Sequence, residues 1–217
     1  VREGLELLEE SVAFVKDAGS AYRDLYARKL VDIATHLIIA ALLCDQAAGD
    51  ESRTVIARRD PLLFLAMGDN VYIDTPKSTP VQRYCYYRRQ SRPEYRAMAG
   101  GVPIFAIWDD HDFGTNDCQD SPGIDDIPWK LPVWNVFRQN YANPAYGGGR
   151  EAPGVWFDVT VGDVHFFMLD CRFYRTGRGK PGGTMLGPIQ KRWLLDRLAG
   201  SKATFKVLCS SVPWTKG

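Results

Sequence analysis

The sequence has 217 residues, of which 45% are hydrophobic and 24% charged, enough for one substantial domain or two small ones. Lys and Arg (27) nearly balance Asp and Glu (26), leaving a net charge of +1, which disfavours a broad basic surface for nucleic acid. The longest apolar run, Leu37 to Leu43, has seven residues, whereas a membrane span needs roughly 20. No segment has the pattern of a signal peptide. The five cysteines are scattered and form no CxxC pair, unlike a disulfide framework or zinc knuckle.

The first 35 residues have an amphipathic helical pattern that is broken once, at Gly19-Ser20. Leucines and valines recur there at three- and four-residue spacing, at positions 5, 8, 12 and 15. We therefore expect a helical N-terminal extension over residues 1–35, followed by a domain over residues 36–217.

From residue 36 onward, short apolar runs alternate with amphipathic stretches, which predicts an α/β domain containing parallel strand pairs. The runs of strand length are 37–43, 62–67, 104–108, 164–169 and 205–209. Helical spacing is found over 81–98 and 188–199. Residues 155–161, the turn Gly162-Asp163 and the next run predict a hairpin, so we expect a mixed sheet. Residues 120–154, rich in Pro, Gly and aromatic residues, are expected to form a long surface excursion.

Polar residues that can bind metals or anions follow four of the predicted strands. They are Cys44-Asp45-Gln46, Gly68-Asp69-Asn70-Val71-Tyr72-Ile73-Asp74, the run from Asp109 to Asp117, and Asp170-Cys171-Arg172. In open α/β sheets, sites form in the crevice beyond the carboxyl ends of the strands. The sequence therefore predicts that these four segments meet in one cleft.

The residue types in this cleft suit a hydrolase with two metal ions. Asp69, directly after a glycine, can bridge two cations with its two oxygens. Tyr72 and Cys44 suit a trivalent or borderline metal, and Asp109 and Asn116 suit a harder second cation. Two such cations activate a water and stabilise the charge on a transferring phosphoryl group.

His111 and Arg172 complete the predicted chemistry. His111 could protonate a leaving alkoxide. His111 lies in the segment Asp-Asp-His-Asp, with Asn116 and Asp117 close behind. This segment indicates a functional rather than a structural role, because acidic groups so close together repel unless a cation or solvent compensates. Arg172 has two interpretations, a clamp for phosphate or an ion pair with Asp170.

Several of these features also have a purely structural interpretation. Gly-Asp after a strand is common in turns, and Asp109-Asp110 could cap a helix. The motif Gly162-Asp163-Val164-His165 imitates a metallophosphatase ligand motif, but it precedes a strand instead of following one. We therefore expect His165 to be a structural strand residue. His36, with no acidic neighbour nearby, is also expected to be structural.

Taken together, the segments resemble the alkaline phosphatase D (PhoD-like) family of metallophosphoesterases over about residues 36–217. The matching stretches are Phe64 to Tyr72, Ile107 to Asp117, Phe166 to Arg172, Met185-Leu186-Gly187 with Gln190 and Trp193-Leu194, and Ser210 to Trp214. Among these, the Trp-Asp-Asp-His element at residues 108–111 is highly specific.

The resemblance implies hydrolysis of small phosphomonoesters or phosphodiesters at an iron–calcium centre. It also implies a sandwich of two mixed sheets flanked by helices, and a location outside the cytoplasm is common in this family. By position, Cys44, Asp69 and Tyr72 look like the iron ligands. Asp109 and Asn116 look like calcium ligands, with Asp110 as the alternative to Asp109. His111 is similar to the family's general acid, and Arg172 to a substrate-binding residue.

The sequence also departs from the family pattern. Leu42-Leu43 stand where the family has Gly-Ser before the first cysteine. The family's later Gly-Asp-x-His segment and last acidic ligand are not found before Gly217, so we expect a fragment with the N-terminal half of the site and poor activity. One rival hypothesis is a nucleotidase or nuclease, with the Tyr- and Arg-rich segment Arg83 to Arg96 binding bases and phosphates; the helical spacing of this segment favours instead a packed helix with a solvated face. The other rival is a non-catalytic binding remnant.

Overall fold

The site-bearing strands and helices all lie in one compact unit, Leu63–Gly217. The structure is a computed structural model that describes residues 61–119, 123–124, 126–177 and 179–214. The predicted N-terminal helix, the predicted strand over 37–43, His36 and Cys44 lie outside the described residues.

The described residues form five strands and five helices that alternate in part along the chain. In chain order they are β1 (Phe64–Met67), α1 (Thr79–Gln90), α2 (Pro93–Gly101), β2 (Ile104–Ile107), α3 (Asp110–Phe113), α4 (Lys130–Asn140), β3 (Phe157–Val161), β4 (Val164–Met168), α5 (Gly187–Gly200) and β5 (Phe205–Cys209).

The strands of the described part of the chain are arranged in two sheets. β1 and β2 pair in parallel, with Phe64 opposite Ile104 and Met67 opposite Ile107. The second sheet has the order β3-β4-β5, in which β3 and β4 form the predicted antiparallel hairpin and β4 and β5 run parallel. The predicted α/β class with mixed pairing is therefore confirmed. No described helix is long and apolar enough to cross a membrane.

The helix predicted over residues 81–98 is two helices, α1 and α2, so its continuity was predicted wrongly. Arg92 has extended backbone angles (φ −64°, ψ 135°) and is followed by Pro93 in the first turn of α2. A proline ring disfavours the helical conformation of the residue before it, which explains the break.

The prediction of a surface excursion over residues 120–154 was also wrong, because α4 lies within it. Val133, Trp134, Val136 and Phe137 are all buried, at the three- and four-residue spacing of one helix face. Pro132 lies within the first turn of α4, where a proline costs no hydrogen bond. Because this segment is rich in proline and glycine, its sequence did not predict the core helix α4.

The core around Trp108 positions the end of β2. Trp108 is fully buried and its ring centroid lies 4.9 Å from Phe113 and 5.2 Å from Phe137. It stacks nearly parallel to Phe173, at 6.3 Å. This aromatic cluster fixes the residue directly before Asp109, and with it the start of the acidic segment.

Candidate functional site

The candidate site begins where β1 and β2 end side by side. A Cβ on Gly68 would lie 2.6 Å from the Cβ of Asp109 and 3.2 Å from that of Ser211. The backbone after β1 therefore passes so close to the backbone after β2 that no side chain fits at this position. The close approach brings Asp69 beside the acidic segment, as predicted from the parallel strand ends.

Asp112 ties the two strand ends together. Its carboxylate accepts hydrogen bonds from the backbone N–H groups of Asn70 (3.1 Å), Val71 (3.0 Å) and Asp109 (3.1 Å). Burial raises the pKa of Asp112 to about 7, although these hydrogen bonds lower it. Through these hydrogen bonds, the buried Asp112 carboxylate links the loop after β1 to α3.

Three side chains that can bind a metal lie close together at the ends of β1 and β2. One potential ligand atom from each of Asp69, Asp110 and His111 lies within 4.8 Å of the other two. Asp110 is fully buried and accepts a 2.6 Å hydrogen bond from the backbone N–H of Asp117. The Tyr72 hydroxyl donates to Asp69 at 2.9 Å, which adds a phenol oxygen to the group.

His111 is held on two sides. Its Nδ1 lies 2.6 Å from Oδ1 of Asp74, and its ring centroid is 4.3 Å from that of Tyr72. The backbone N–H of Ile73 also donates to the His111 carbonyl at 3.2 Å. The loop after β1 therefore supplies both Asp74, which contacts Nδ1, and Tyr72, whose ring contacts the imidazole.

Asp109 and Arg172 form a buried ion pair at the edge of this group. The Nε of Arg172 donates to Oδ1 of Asp109 at 2.5 Å, and Ser211 donates to the same oxygen at 3.0 Å. The Nη2 of Arg172 lies 3.6 Å from Oδ1 of Asp110. Of the two interpretations of Arg172, the structure shows an ion pair, but with Asp109 and Asp110 rather than with the Asp170 side chain.

Asp170 has a different task, which the sequence did not reveal. Its carboxylate accepts hydrogen bonds from Nε1 of Trp108 and from the backbone N–H groups of Val155, Arg172 and Phe173, all at 2.9–3.0 Å. Burial raises the pKa of Asp170, against the effect of these donors. Asp170 therefore joins the ends of β2 and β4 and orients the backbone of Arg172.

The remaining predicted residues lie elsewhere or outside the description. Asn116 is exposed and donates to the Asp117 side chain at 3.2 Å. Cys44 is not among the described residues. His165 is buried in β4, where its ring nitrogens contact Asp158 and Ser201, both at 2.9 Å, a position that agrees with the expected structural role.

Asp74, Asp112, Asp170 and Ser211 support the site, but the sequence did not predict the contacts that they make. The available signal was that all four lie in the polar or family-matching segments that also carry the predicted site residues. Nothing in the sequence indicates that Asp112 faces backbone N–H groups while Asp110 faces the potential ligands. This distinction depends on the rotation of the short helix α3.

The fold and site define an α/β protein with a carboxylate–histidine group at the ends of parallel strands. The family model of the PhoD-like phosphatases matches residues 51–217, so the chain belongs to the PhoD-like phosphatase family. A solved structure described as "Structure of PhoD" is similar with a TM-score of 0.51 and 18% identity, over 67% of this chain. This chain spans 34% of that structure's chain. Among curated proteins, none matches this chain.

Proposed function

We propose that this chain is a metal-dependent phosphoesterase that hydrolyses small phosphomonoesters or phosphodiesters at a two-metal site. The observation that carries the proposal is the convergence of Asp69, Asp110 and His111 within 4.8 Å of one another, at the strand ends of a PhoD-like phosphatase family member. The carboxylates of Asp69 and Asp110 and the Tyr72 phenol form a donor set that suits hard and borderline cations, with the His111 imidazole beside it.

In the proposed site, Asp69 and Tyr72 would hold the iron, their side chains being joined by a 2.9 Å hydrogen bond. Asn116 and one carboxylate of the acidic pair, Asp109 or Asp110, would hold the calcium. Asp110 is better suited than Asp109 to that role, because Oδ1 of Asp109 already accepts from Arg172 and Ser211. When bound, the two cations activate a water and stabilise the charge on the transferring phosphoryl group.

His111 is the proposed general acid. Asp74 engages Nδ1 at 2.6 Å, which fixes the ring and leaves Nε2 as the atom that delivers a proton to the leaving oxygen. The 4.3 Å contact with Tyr72 limits rotation of the ring. General acids of this kind contribute about 10²- to 10⁴-fold to the rate.

Arg172 is proposed to have two roles: it offsets the charge of the acidic pair, and it binds the substrate. Its Nε holds Asp109, and its buried guanidinium lies beside Asp110, so it offsets the charge of the acidic pair. Nη2 makes no hydrogen bond with a described residue, and this atom is the one that could reach a phosphate oxygen.

The test is elemental analysis of the purified protein together with hydrolysis of a chromogenic phosphodiester and a chromogenic monoester. We expect Asp69→Asn to lose both bound metal and turnover. His111→Gln should keep the metal and lose about 10²- to 10⁴-fold in kcat. Asp163→Asn, in the exposed turn between β3 and β4, is the matched control and should leave both unchanged.

Two results would overturn the proposal. One is a wild-type protein that binds neither metal when iron and calcium are supplied. The other is an Asp69→Asn variant that hydrolyses the substrates at the wild-type rate, which would place the activity elsewhere.

A further inference from the structure

The outer face of α1 carries exposed tyrosines and arginines that contribute nothing to the core. Tyr84 is 58% exposed and Tyr87 69% exposed. These two residues and Arg88 lie at positions i, i+3 and i+4 and so share one side of the helix. We use the name Arg/Tyr surface for the exposed residues Arg83, Tyr84, Tyr87 and Arg88 of α1 together with Arg92 and Arg96 at the start of α2.

The opposite face of α1 provides its packing. Gln82 and Tyr86 are buried, and the ring of Tyr86 makes edge contacts with Phe137 and Tyr141 at 6.4 and 6.0 Å. Gln90 donates to the carbonyl of Asn140 at 3.1 Å. Because these contacts anchor the helix, the exposed tyrosines are not needed to hold it in place.

The segment that carries the Arg/Tyr surface is strongly basic in a protein that is almost neutral. Residues 79–101 contain five arginines and one glutamate, a net charge of +4, whereas the whole chain has +1. The remainder therefore carries −3. None of the five arginines forms an ion pair with a residue in the described part of the chain. Their charge is thus available to an anionic partner.

The arginines and tyrosines are also arranged together. The guanidinium of Arg88 lies 6.0 Å from the ring of Tyr84, and that of Arg89 lies 5.6 Å from the ring of Tyr95. The exposed side of α1 therefore carries planar cations next to planar rings, a combination suited to phosphates and flat aromatic groups.

We propose that the Arg/Tyr surface binds single-stranded nucleic acid, the arginines contacting phosphates and Tyr84 and Tyr87 stacking on bases. A simple polyanion would need only the arginines. A membrane surface would need an apolar helix face, and the apolar face of α1 is turned inward. Single strands combine the two chemistries that the surface offers, a charged backbone and unpaired aromatic rings.

The surface lies close to the candidate site along the chain. α1 begins at Thr79, five residues after Asp74, a segment that spans at most about 17 Å. The inference nevertheless goes beyond the proposed phosphoesterase activity and does not depend on it, since binding to α1 needs no metal. Measuring binding in the presence of a chelator therefore separates the two proposals.

The test is fluorescence anisotropy of a labelled oligothymidylate of about 12 nucleotides, titrated with the purified protein in a chelating buffer. We expect binding that weakens as salt is raised. The double variant Tyr84→Leu/Tyr87→Leu, which keeps apolar side chains, should bind about tenfold more weakly. Arg88→Gln/Arg92→Gln should bind more weakly and show a smaller salt dependence.

Lys191→Gln/Arg192→Gln on the exposed side of α5 is the matched control, because it removes the same charge from another helix surface. It should bind within twofold of wild type, and circular dichroism should show that all variants fold. The proposal is overturned if the control loses as much affinity as the arginine variant. It is also overturned if the oligonucleotide does not bind, or if the tyrosine variant binds it unchanged and inorganic polyphosphate competes equally well.

Discussion

Among the described residues, three aspartates adopt the left-handed backbone conformation, and all three lie at the candidate site. Asp69 (φ 49°) carries the central carboxylate, Asp74 (φ 50°) contacts His111, and Asp117 (φ 54°) donates its N–H to Asp110. Aspartate tolerates this conformation better than most residues, yet it still costs free energy. Backbone strain is thus concentrated in the loops that hold Asp69, Asp110 and His111, as is common at functional sites.

Gly68 is the most sharply constrained residue of the site. It has φ 110° and no room for a Cβ beside Asp109. We expect Gly68→Ala to lower the free energy of unfolding by about 3 kcal/mol, from backbone strain and overpacking together. Urea denaturation measures the change. Gly100→Ala, in α2 with no atom within 4 Å of the added methyl, should be neutral or slightly stabilising; equal losses in both variants would contradict the explanation.

At the scale of the element, α3 and α4 show how neighbouring structure assigns roles to similar residues. In α3, Asp110 and Asp112 are two positions apart and both buried, yet Asp110 faces the ligand group while Asp112 accepts backbone hydrogen bonds. In α4, the buried side chains support the aromatic cluster around Trp108. The site thus depends on a helix that contributes no ligand.

Trp134 on α4 tests this dependence. It is buried, and its Nε1 donates to the carbonyl of Gly154 at 2.8 Å. Truncation would leave a large cavity and an unsatisfied carbonyl, so we expect Trp134→Ala to lower the free energy of unfolding by about 3–5 kcal/mol. Thermal denaturation measures it. Asn135→Ala, exposed on the same helix, should change stability by less than about 0.5 kcal/mol, and a similar effect of both would show that α4 is not a core element.

At the scale of the whole molecule, buried thiols couple stability to alkaline pH. Burial raises the pKa of Cys171 to about 11 and that of Cys209 to about 12, from 9.0. The folded state therefore retains these protons while the unfolded chain releases them. Stability is unaffected well below pH 9 and falls as the pH rises from 9 towards 11 or 12.

By pH 10.5 each of these thiols should lower the free energy of unfolding by about 2 kcal/mol relative to pH 8. The measurement is urea denaturation at both pH values. Cys209→Ala should be less stable at pH 8, owing to the lost packing, but should lose less stability between the two values. Cys85→Ala, at a half-buried position of α1, is the control and should keep the wild-type loss. A Cys209→Ala variant with the wild-type loss would refute the linkage.

Local patterns in the sequence determined much of this protein. Apolar runs followed by polar residues predicted β1, β2, β4 and β5 with nearly correct bounds, since strand length and turn residues are local properties. The resemblance of Trp108-Asp109-Asp110-His111 and its companion motifs also predicted the family. Two local patterns misled: the helical spacing over 81–98 suggested one helix despite the break at Pro93, and the proline in the first turn of α4 suggested a loop.

Only the tertiary structure decided which carboxylates meet which partners. Three aspartates that follow β2 have the same side chain but different partners. Asp109 faces Arg172, Asp110 faces Asp69 and Asp112 faces backbone N–H groups. The partner of Nδ1 in His111 comes from 37 residues earlier in the chain. Such pairings depend on strand register and helix rotation, which are set by the packing of distant segments and not by the spacing of residues along the sequence.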